Sequence, residues 1–358
     1  MSGRARMLAR SVGYTAGISA AGSVLAVGVL RAEIEIARRV IGDGPGTSHD
    51  DTGSYGAGYG RAYRLLMLGD STAAGVGAGS PAGTIGATVA TGVAALTGRP
   101  VEVHNVARSG ATSPQLRAQV DQGLAVMPRP DVAVVMIGAN DVKERLDRTA
   151  SARALGDAVA DLVAAGAQVV VGTCPDLGTI RPIPQPLRTL VRRWSRQLAA
   201  AQTVAVVEAG GRSVSTGDLL GPQFLESPLE LFSDDRFHPS AAGYARAAAA
   251  LLPSVLDALG IWTVDTDRVP DQTRGEGVGP LEVAAERAAE DPGSEVTASE
   301  VAGLGRGARL GRLLRRHLPV IGDRGEEPEQ EAVSSAAAAP AESADAQGAA
   351  AVTGPASS

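Results

Sequence analysis

The stretch "LLMLGDSTAAGVGAG", Leu65 to Gly79, runs from apolar residues straight into Gly69-Asp70-Ser71. A serine at such a corner has three readings: a helix N-cap, part of a phosphate-cradling loop, or a nucleophile. Three further stretches carry chemistry. "NVARSGATS" holds Gly110, "IGANDV" holds Gly138, Asn140 and Asp141, and "DDRFHPSAAGY" holds Asp235, His238 and Pro239. Acyl transfer needs a hydroxyl nucleophile, a base for its proton, a group that orients the base, and donors for the oxyanion. Ser71 supplies the hydroxyl. His238 supplies an imidazole, a base suited to neutral pH. Asp235, three residues earlier, can bend back onto the other ring nitrogen, with Asp234 as its competitor. The backbone N–H groups of Ser71 and Gly110 and the amide of Asn140 can converge on one oxyanion. A glycine suits that task because it lets the backbone approach a ligand closely.

Each stretch alone has a plainer reading. Ser71 could cap a helix, Asn140-Asp141 could be a turn after a strand, and His238 could be a surface histidine. Position in the fold separates these readings. Short, Val-rich, continuous apolar runs predict strands at Arg64–Leu68, Val101–Val106, Val132–Ile137, Gln168–Thr173 and Val204–Val207, the pattern of parallel strands buried on both faces. Helical stretches at Thr84–Thr97, Ser113–Val126, Ala150–Ala165, Leu187–Ala201 and Ser240–Leu259 separate or follow them. Five βα units of this kind make an open α/β/α sandwich, which places its sites at the carboxyl ends of the strands. The first three motifs follow the first three strands, and the fourth lies in the loop before the last helix.

Taken together, Gly69-Asp70-Ser71, Gly110, Gly138-x-Asn140-Asp141 and Asp235-x-x-His238-Pro239 resemble the four blocks of the SGNH hydrolases, the GDSL-type esterases and lipases. The resemblance covers about Arg64 to Leu259 in the family's order. It implies a three-layer α/β/α fold with a five-stranded parallel, flavodoxin-like sheet. It also implies hydrolysis of ester or thioester bonds without a metal or other cofactor. On this reading Ser71 is the nucleophile, His238 the base, Asp235 its partner, and Gly110 and Asn140 complete the oxyanion hole with Ser71. Two positions depart from the pattern: Thr72 stands where the name-giving leucine would, and Ala107 where a glycine is frequent. Membrane-anchored esterases of actinobacteria resemble the chain most, because of its N-terminus. Acetyl groups on carbohydrate, short acyl esters, lipids and thioesters all fit this chemistry, and the expected substrate is an acyl ester of short to medium chain. Acyl transfer to another alcohol and removal of acetyl groups from sugars use the same triad. An inactive anchored scaffold is the non-enzyme alternative.

Composition bounds the rest. The 358 residues are 44% hydrophobic, enough for a substantial core, and one lysine, Lys143, stands against many arginines. The net charge of −6 is uneven: the acidic excess lies after Asp265, and Met1–Val264 carries a slight positive balance. Nothing in it suggests a nucleic-acid surface. The single Cys174 excludes an internal disulfide and any multi-cysteine metal site, and reads as a buried thiol. Asp70, Asp141 and His238 lack the spacing of a tight metal-ligand motif. "GVGAGS" from Gly75 to Ser80 begins too far after its strand to be a dinucleotide fingerprint, and no phosphate-binding P-loop is present.

The chain divides into 1–41, 42–60, 61–264 and 265–358. In the first part, Ser11–Leu30 has twenty uncharged residues behind Arg4, Arg6 and Arg10. About twenty apolar residues suffice to span a bilayer. The expectation is a single-pass anchor with the catalytic domain outside the cytoplasm, the alternative being a cleaved signal and secretion. Residues 42–60 read as a Gly-rich linker, 61–264 as the catalytic domain, and 265–358 as a disordered acidic, Ala-rich tail. Within that tail, 308–318 is a short basic amphipathic segment. Two loops, Pro175–Pro186 and Leu219–Asp234, border the expected pocket. Phe224, Leu225, Leu231 and Phe232 would form a greasy rim there or pack beneath a long loop. Oligomeric state has no signature in the sequence.

Overall fold

The structure is a computed structural model, and it describes residues 28–36, 47–216, 228–261, 281–290 and 294–297. Its strands are β1 (Gly53–Tyr55), β2 (Tyr63–Gly69), β3 (Val101–Asn105), β4 (Val132–Met136), β5 (Gln168–Gly172), β6 (Arg212–Val214) and β7 (Glu295–Thr297). They form one sheet in the order β1-β3-β2-β4-β5-β6-β7. The central five, β3-β2-β4-β5-β6, are parallel, whereas β1 and β7 are antiparallel edges. The parallel core has the flavodoxin-like order, whose direction of winding reverses between its first and third strands. Here those are β2 and β4. Ligand sites of such sheets lie outside the carboxyl ends at that point.

The continuous apolar runs are explained by burial on both faces. Along β2, Leu65 and Met67 point into one core layer with Val89, Val93, Tyr244, Leu251 and Val255. Leu66 and Leu68 point into the other, with Leu116, Val120, Leu155 and Val159. Neither face meets water, so neither alternates with polar residues. The first layer is closed by α1 (Ile85–Thr97) and α6 (Ala241–Ala258). The second is closed by α2 (Leu116–Val126), α4 (Arg148–Ala164) and the end of α5 (Leu187–Glu208). A short helix, α3 (Ala139–Glu144), follows β4 directly. Asp147 and Ser240 cap α4 and α6 by accepting from Ala150 N–H and Gly243 N–H.

Three expectations are corrected. Val204–Val207 is not a strand but the last turn of α5. Val206 and Val207 share a helical face with Leu198, Ala199, Gln202 and Thr203, all buried, and that spacing outweighs local β propensity. The fifth parallel strand is β6, three residues reading Arg-Ser-Val, too short and polar to stand out. The sheet is seven-stranded and mixed rather than five-stranded and parallel, because two segments read as irregular supply edges. Gly53–Tyr55, inside the expected linker, pairs with β3 through its backbone. Glu295–Thr297, inside the expected tail, pairs with β6, and Leu281–Glu290 forms helix α7 beside it. Backbone pairing needs no apolar pattern, so neither edge is visible in composition. Beyond that, α7 buries Ala288 against Val207 and Val296.

The expected segment 308–318 lies outside the described residues, as does most of Ser11–Leu30. Residues 28–36 are helical, and Glu33 accepts the Leu187 N–H at the start of α5 at 2.8 Å. Among the described residues, no helix is long and apolar enough to cross a membrane.

Candidate active site

Chain reversals at the carboxyl ends of β2, β3 and β4 bring the first three motifs together. β2 ends at Gly69, with φ of 137°, a region L side chains rarely adopt. A Cβ there would fall 1.9 Å from the Met136 carbonyl oxygen of β4, so only glycine fits this corner. Ser71 follows in the turn, and its carbonyl accepts the Val76 N–H at 3.0 Å. Asp70 accepts the Thr72 N–H at 2.9 Å. The chain is thus folded tightly around a serine that is 7% exposed.

The loop before α6 brings in the fourth motif. His238 Nε2 lies 2.9 Å from Ser71 Oγ, across 167 positions of sequence. His238 Nδ1 lies 2.6 Å from Asp235 Oδ2. The other oxygen, Asp235 Oδ1, accepts from the Ser233 hydroxyl and from the N–H groups of Phe237 and His238, at 2.8, 2.8 and 2.9 Å. Burial alone would raise the Asp235 pKa, but the bonds from His238, Phe237 and Ser233 outweigh it and hold the carboxyl well below the usual range. An ionised carboxylate on Nδ1 fixes the ring so that Nε2 faces the serine. Asp234 is exposed, and Asp235 is the acid on the ring. Phe237 packs edge-on to the imidazole with centroids 4.8 Å apart.

Asn140 sits in the first turn of α3 and donates one amide hydrogen to the Ala111 carbonyl at 3.0 Å, next to Gly110. Asp141 accepts the Ser113 N–H through both oxygens, at 3.2 and 3.1 Å. These bonds stitch the loop after β3 to the helix after β4. Gly110 has φ of 83°, and a Cβ there would meet open space. Its glycine is therefore required by backbone conformation rather than by crowding. Among the described residues, no group of three or more His, Cys, Asp or Glu is arranged to hold a metal.

Sequence reasoning misses several residues that hold the site. Gln119 of α2 grips Gly69 with both ends of its amide, accepting the N–H at 2.8 Å and donating to the carbonyl at 2.9 Å. Gln202 of α5 does the same between β4 and β5, donating to the Ile137 carbonyl and accepting the Cys174 N–H. Asp51 accepts from Thr84 and Asn105, and Asn105 also donates to the Ala73 carbonyl in the turn that carries Ser71. Tyr244 of α6 donates to the Val76 carbonyl at 2.7 Å. Gln119 carries a signal: it is a polar residue at the spacing of Leu116, Val120 and Gly123 on the buried face of α2. Asp51 carries none, since Thr84 and Asn105 lie far along the chain, and Ser233, two residues before Asp235, belongs to no periodic element that would mark it. Leu231 and Phe232 are buried and pack with Ala242, so they do not form an exposed rim. Phe224 and Leu225 lie outside the described residues.

An α/β sandwich with hydrogen-bonded serine, histidine and aspartate side chains at the switch point of its parallel core defines the class of this protein. Its relatives take the assignment further. Residues 67–246 match the GDSL-like lipase/acylhydrolase family, and the chain belongs to that family. It is 48% identical over 195 residues to a GDSL-like esterase of Mycobacterium tuberculosis, a match covering 54% of this chain and 62% of that protein. Among solved structures, a catalytic mutant of an acetylxylan esterase from Geobacillus stearothermophilus is 21% identical. That match covers 59% of this chain and all of the other, with a TM-score of 0.42. A candidate SGNH hydrolase from Slackia heliotrinireducens is 26% identical over 55% of this chain and all of the other, with a TM-score of 0.40.

Proposed function

We propose that the protein is a serine esterase that cleaves carboxylic esters through an acyl-enzyme on Ser71. Ser71 Oγ attacks the acyl carbonyl while its proton passes to His238 Nε2. Asp235 stabilises the imidazolium that forms. The oxyanion is received by the N–H groups of Ser71 and Gly110 and by the Asn140 amide. The tetrahedral species collapses, and the alcohol leaves with the proton from His238. Water then attacks the acyl carbon, giving its proton to His238, and the carboxylic acid departs as Ser71 regains a proton. The substrate is an ester of short to medium acyl chain.

The observation that carries this reading is the unbroken path from Ser71 Oγ through the imidazole to an ionised carboxylate, 2.9 and 2.6 Å per step. Hydrolysis of nitrophenyl esters from acetyl to palmitoyl tests it. Ser71→Ala and His238→Ala are each expected to lower kcat/KM by roughly three orders of magnitude or more. The preferred chain is expected at or below octanoyl. Undiminished turnover by Ser71→Ala would end the proposal.

A further inference from the structure

A cleft of about 250 Å³ lies between α3, α4 and α5 on the flank of the helix that carries Asn140. Neither Ser71, Asp235 nor His238 lines it. Its walls are apolar, from Val142, Leu146, Trp194 and Leu198, and Arg145 and Arg148 complete them. The volume falls just below the usual range for small-molecule sites, about 300–1,000 Å³, so an occupant must be small.

Three observations set this cleft apart from a packing gap. The guanidinium of Arg145 lies over the Trp194 ring, 5.7 Å from its centroid. Arg148 donates to Gln197 at 3.0 Å. Among the described residues neither arginine is paired with a carboxylate. Second, Arg145 has φ of 57°, a left-handed conformation uncommon for a residue with a side chain. That conformation closes α3, where the Arg145 N–H donates to the Asp141 and Val142 carbonyls, and it fixes the backbone from which the guanidinium reaches Trp194. Third, Ser151 lines the cleft, is 1% exposed, and its Oγ has no hydrogen-bond partner among the described residues. A buried hydroxyl without a partner is destabilising, and a ligand oxygen placed against it would remove that penalty.

The acids nearby define the charge that fits. Asp141 lines the cleft but accepts the Ser113 N–H through both oxygens, and Asp147 is occupied in capping α4. Glu144, on α3, is exposed. Two guanidinium groups facing one buried carboxylate suit a single negative charge better than a double one. Guanidinium also matches the planar carboxylate fork.

We propose that this cleft is a ligand site separate from the Ser71 pocket, and that it takes a small amphipathic monocarboxylate. The apolar body lies against Trp194 and Leu198. The carboxylate is held by Arg145 and Arg148, with the Ser151 hydroxyl as a third donor. Carboxylic acids are what the proposed ester cleavage releases, and that link alone rests on the proposed function.

Binding can be read without turnover. Full-length Ser71→Ala protein is titrated with hexanoate, followed by tryptophan fluorescence and calorimetry, with hexanamide as the neutral control. Saturable binding of hexanoate at millimolar concentration or below is expected, and at least tenfold weaker binding of hexanamide. Arg145→Gly and Arg148→Ala should each weaken hexanoate at least tenfold. Arg145→Gly relieves the left-handed strain, so its thermal midpoint should not fall, which separates lost binding from lost folding. Hexanoate should also bind wild-type protein whose Ser71 carries a phosphonyl group. Absence of saturable binding, indifference to both arginine variants, or loss of binding on Ser71 labelling would each overturn the site. The Ser71→Ala titration and the two arginine variants do not depend on whether the protein hydrolyses esters, which the nitrophenyl series decides separately; only the phosphonyl arm needs a reactive Ser71.

Discussion

Asp70 and Asp235 are carboxylates on the same site with opposite environments. Asp70 is buried at 2% exposure; burial pushes its pKa up to about 6, against the opposing pull of the Thr72 N–H and the nearby His238. A carboxyl whose folded pKa exceeds its unfolded value favours the native state while protonated. Its contribution therefore declines as pH rises from about 4 through 6 and stays unfavourable above. A tenfold change in proton affinity between the folded and unfolded chain corresponds to about 1.4 kcal/mol. Asp70→Asn keeps an acceptor for Thr72 and removes the charge. It should raise stability at pH 8 by about 2–3 kcal/mol, with the gain vanishing below pH 4, as urea unfolding at several pH values would show. Asp235 works in the other direction. Its stabilisation is complete above the ordinary carboxylate range and is lost only as pH falls through its depressed value.

Among the secondary elements, the amide clamps decide where the serine stands. Gln119 ties α2 to the last residue of β2, and Gln202 ties α5 to the strand ends on either side of Gly138. Each converts the packing of a helix into the position of a loop. Gln119→Leu keeps much of the volume but leaves the Gly69 N–H without its acceptor. A buried group left so costs about 1–3 kcal/mol, and the carbonyl loses one of its donors as well. The expected loss is about 2–4 kcal/mol in denaturant unfolding. A fall in kcat larger than the change in KM should accompany it, because the nucleophile is displaced rather than the substrate released. Val204–Val207 gives the complementary lesson. Four residues of strand-like composition became helix because their buried face continued one already set by Leu198 and Gln202.

At the scale of the whole molecule, the sheet is completed by residues distant from the catalytic motifs. β7 covers the edge of β6, and Arg212 pairs with both Asp257 and Glu295, joining the edge strand to α6. Ser254 donates to Glu295 as well, at 2.8 Å. An uncovered strand is open to pairing with other chains. Truncation after Ile261 should therefore lower the thermal midpoint and increase aggregation on heating. Glu295→Ala in the full chain should lose only about 1–2 kcal/mol, since Arg212 keeps Asp257. Equal midpoints for the truncated and full chains would show that β7 and α7 contribute nothing.

The amino-acid order alone determined the parallel core, because strands buried on both faces are apolar along their buried stretch, as β4 is throughout and β2 and β5 are after their first residues, while β3 alternates on its more exposed side. It also determined the motifs at their carboxyl ends, since glycine, serine and asparagine at a strand-to-helix corner carry a local signature. What only the tertiary structure decided were features whose partners lie far apart. The 2.9 Å approach of His238 to Ser71, Gln119 on Gly69 and Asp51 on Asn105 depend on the completed winding of the sheet. The edge strands and the arginine cleft were hidden for the same reason. A backbone ladder or a void between three helices belongs to no single stretch of chain, and short-range pattern cannot encode a contact between surfaces that exist only once the core has closed.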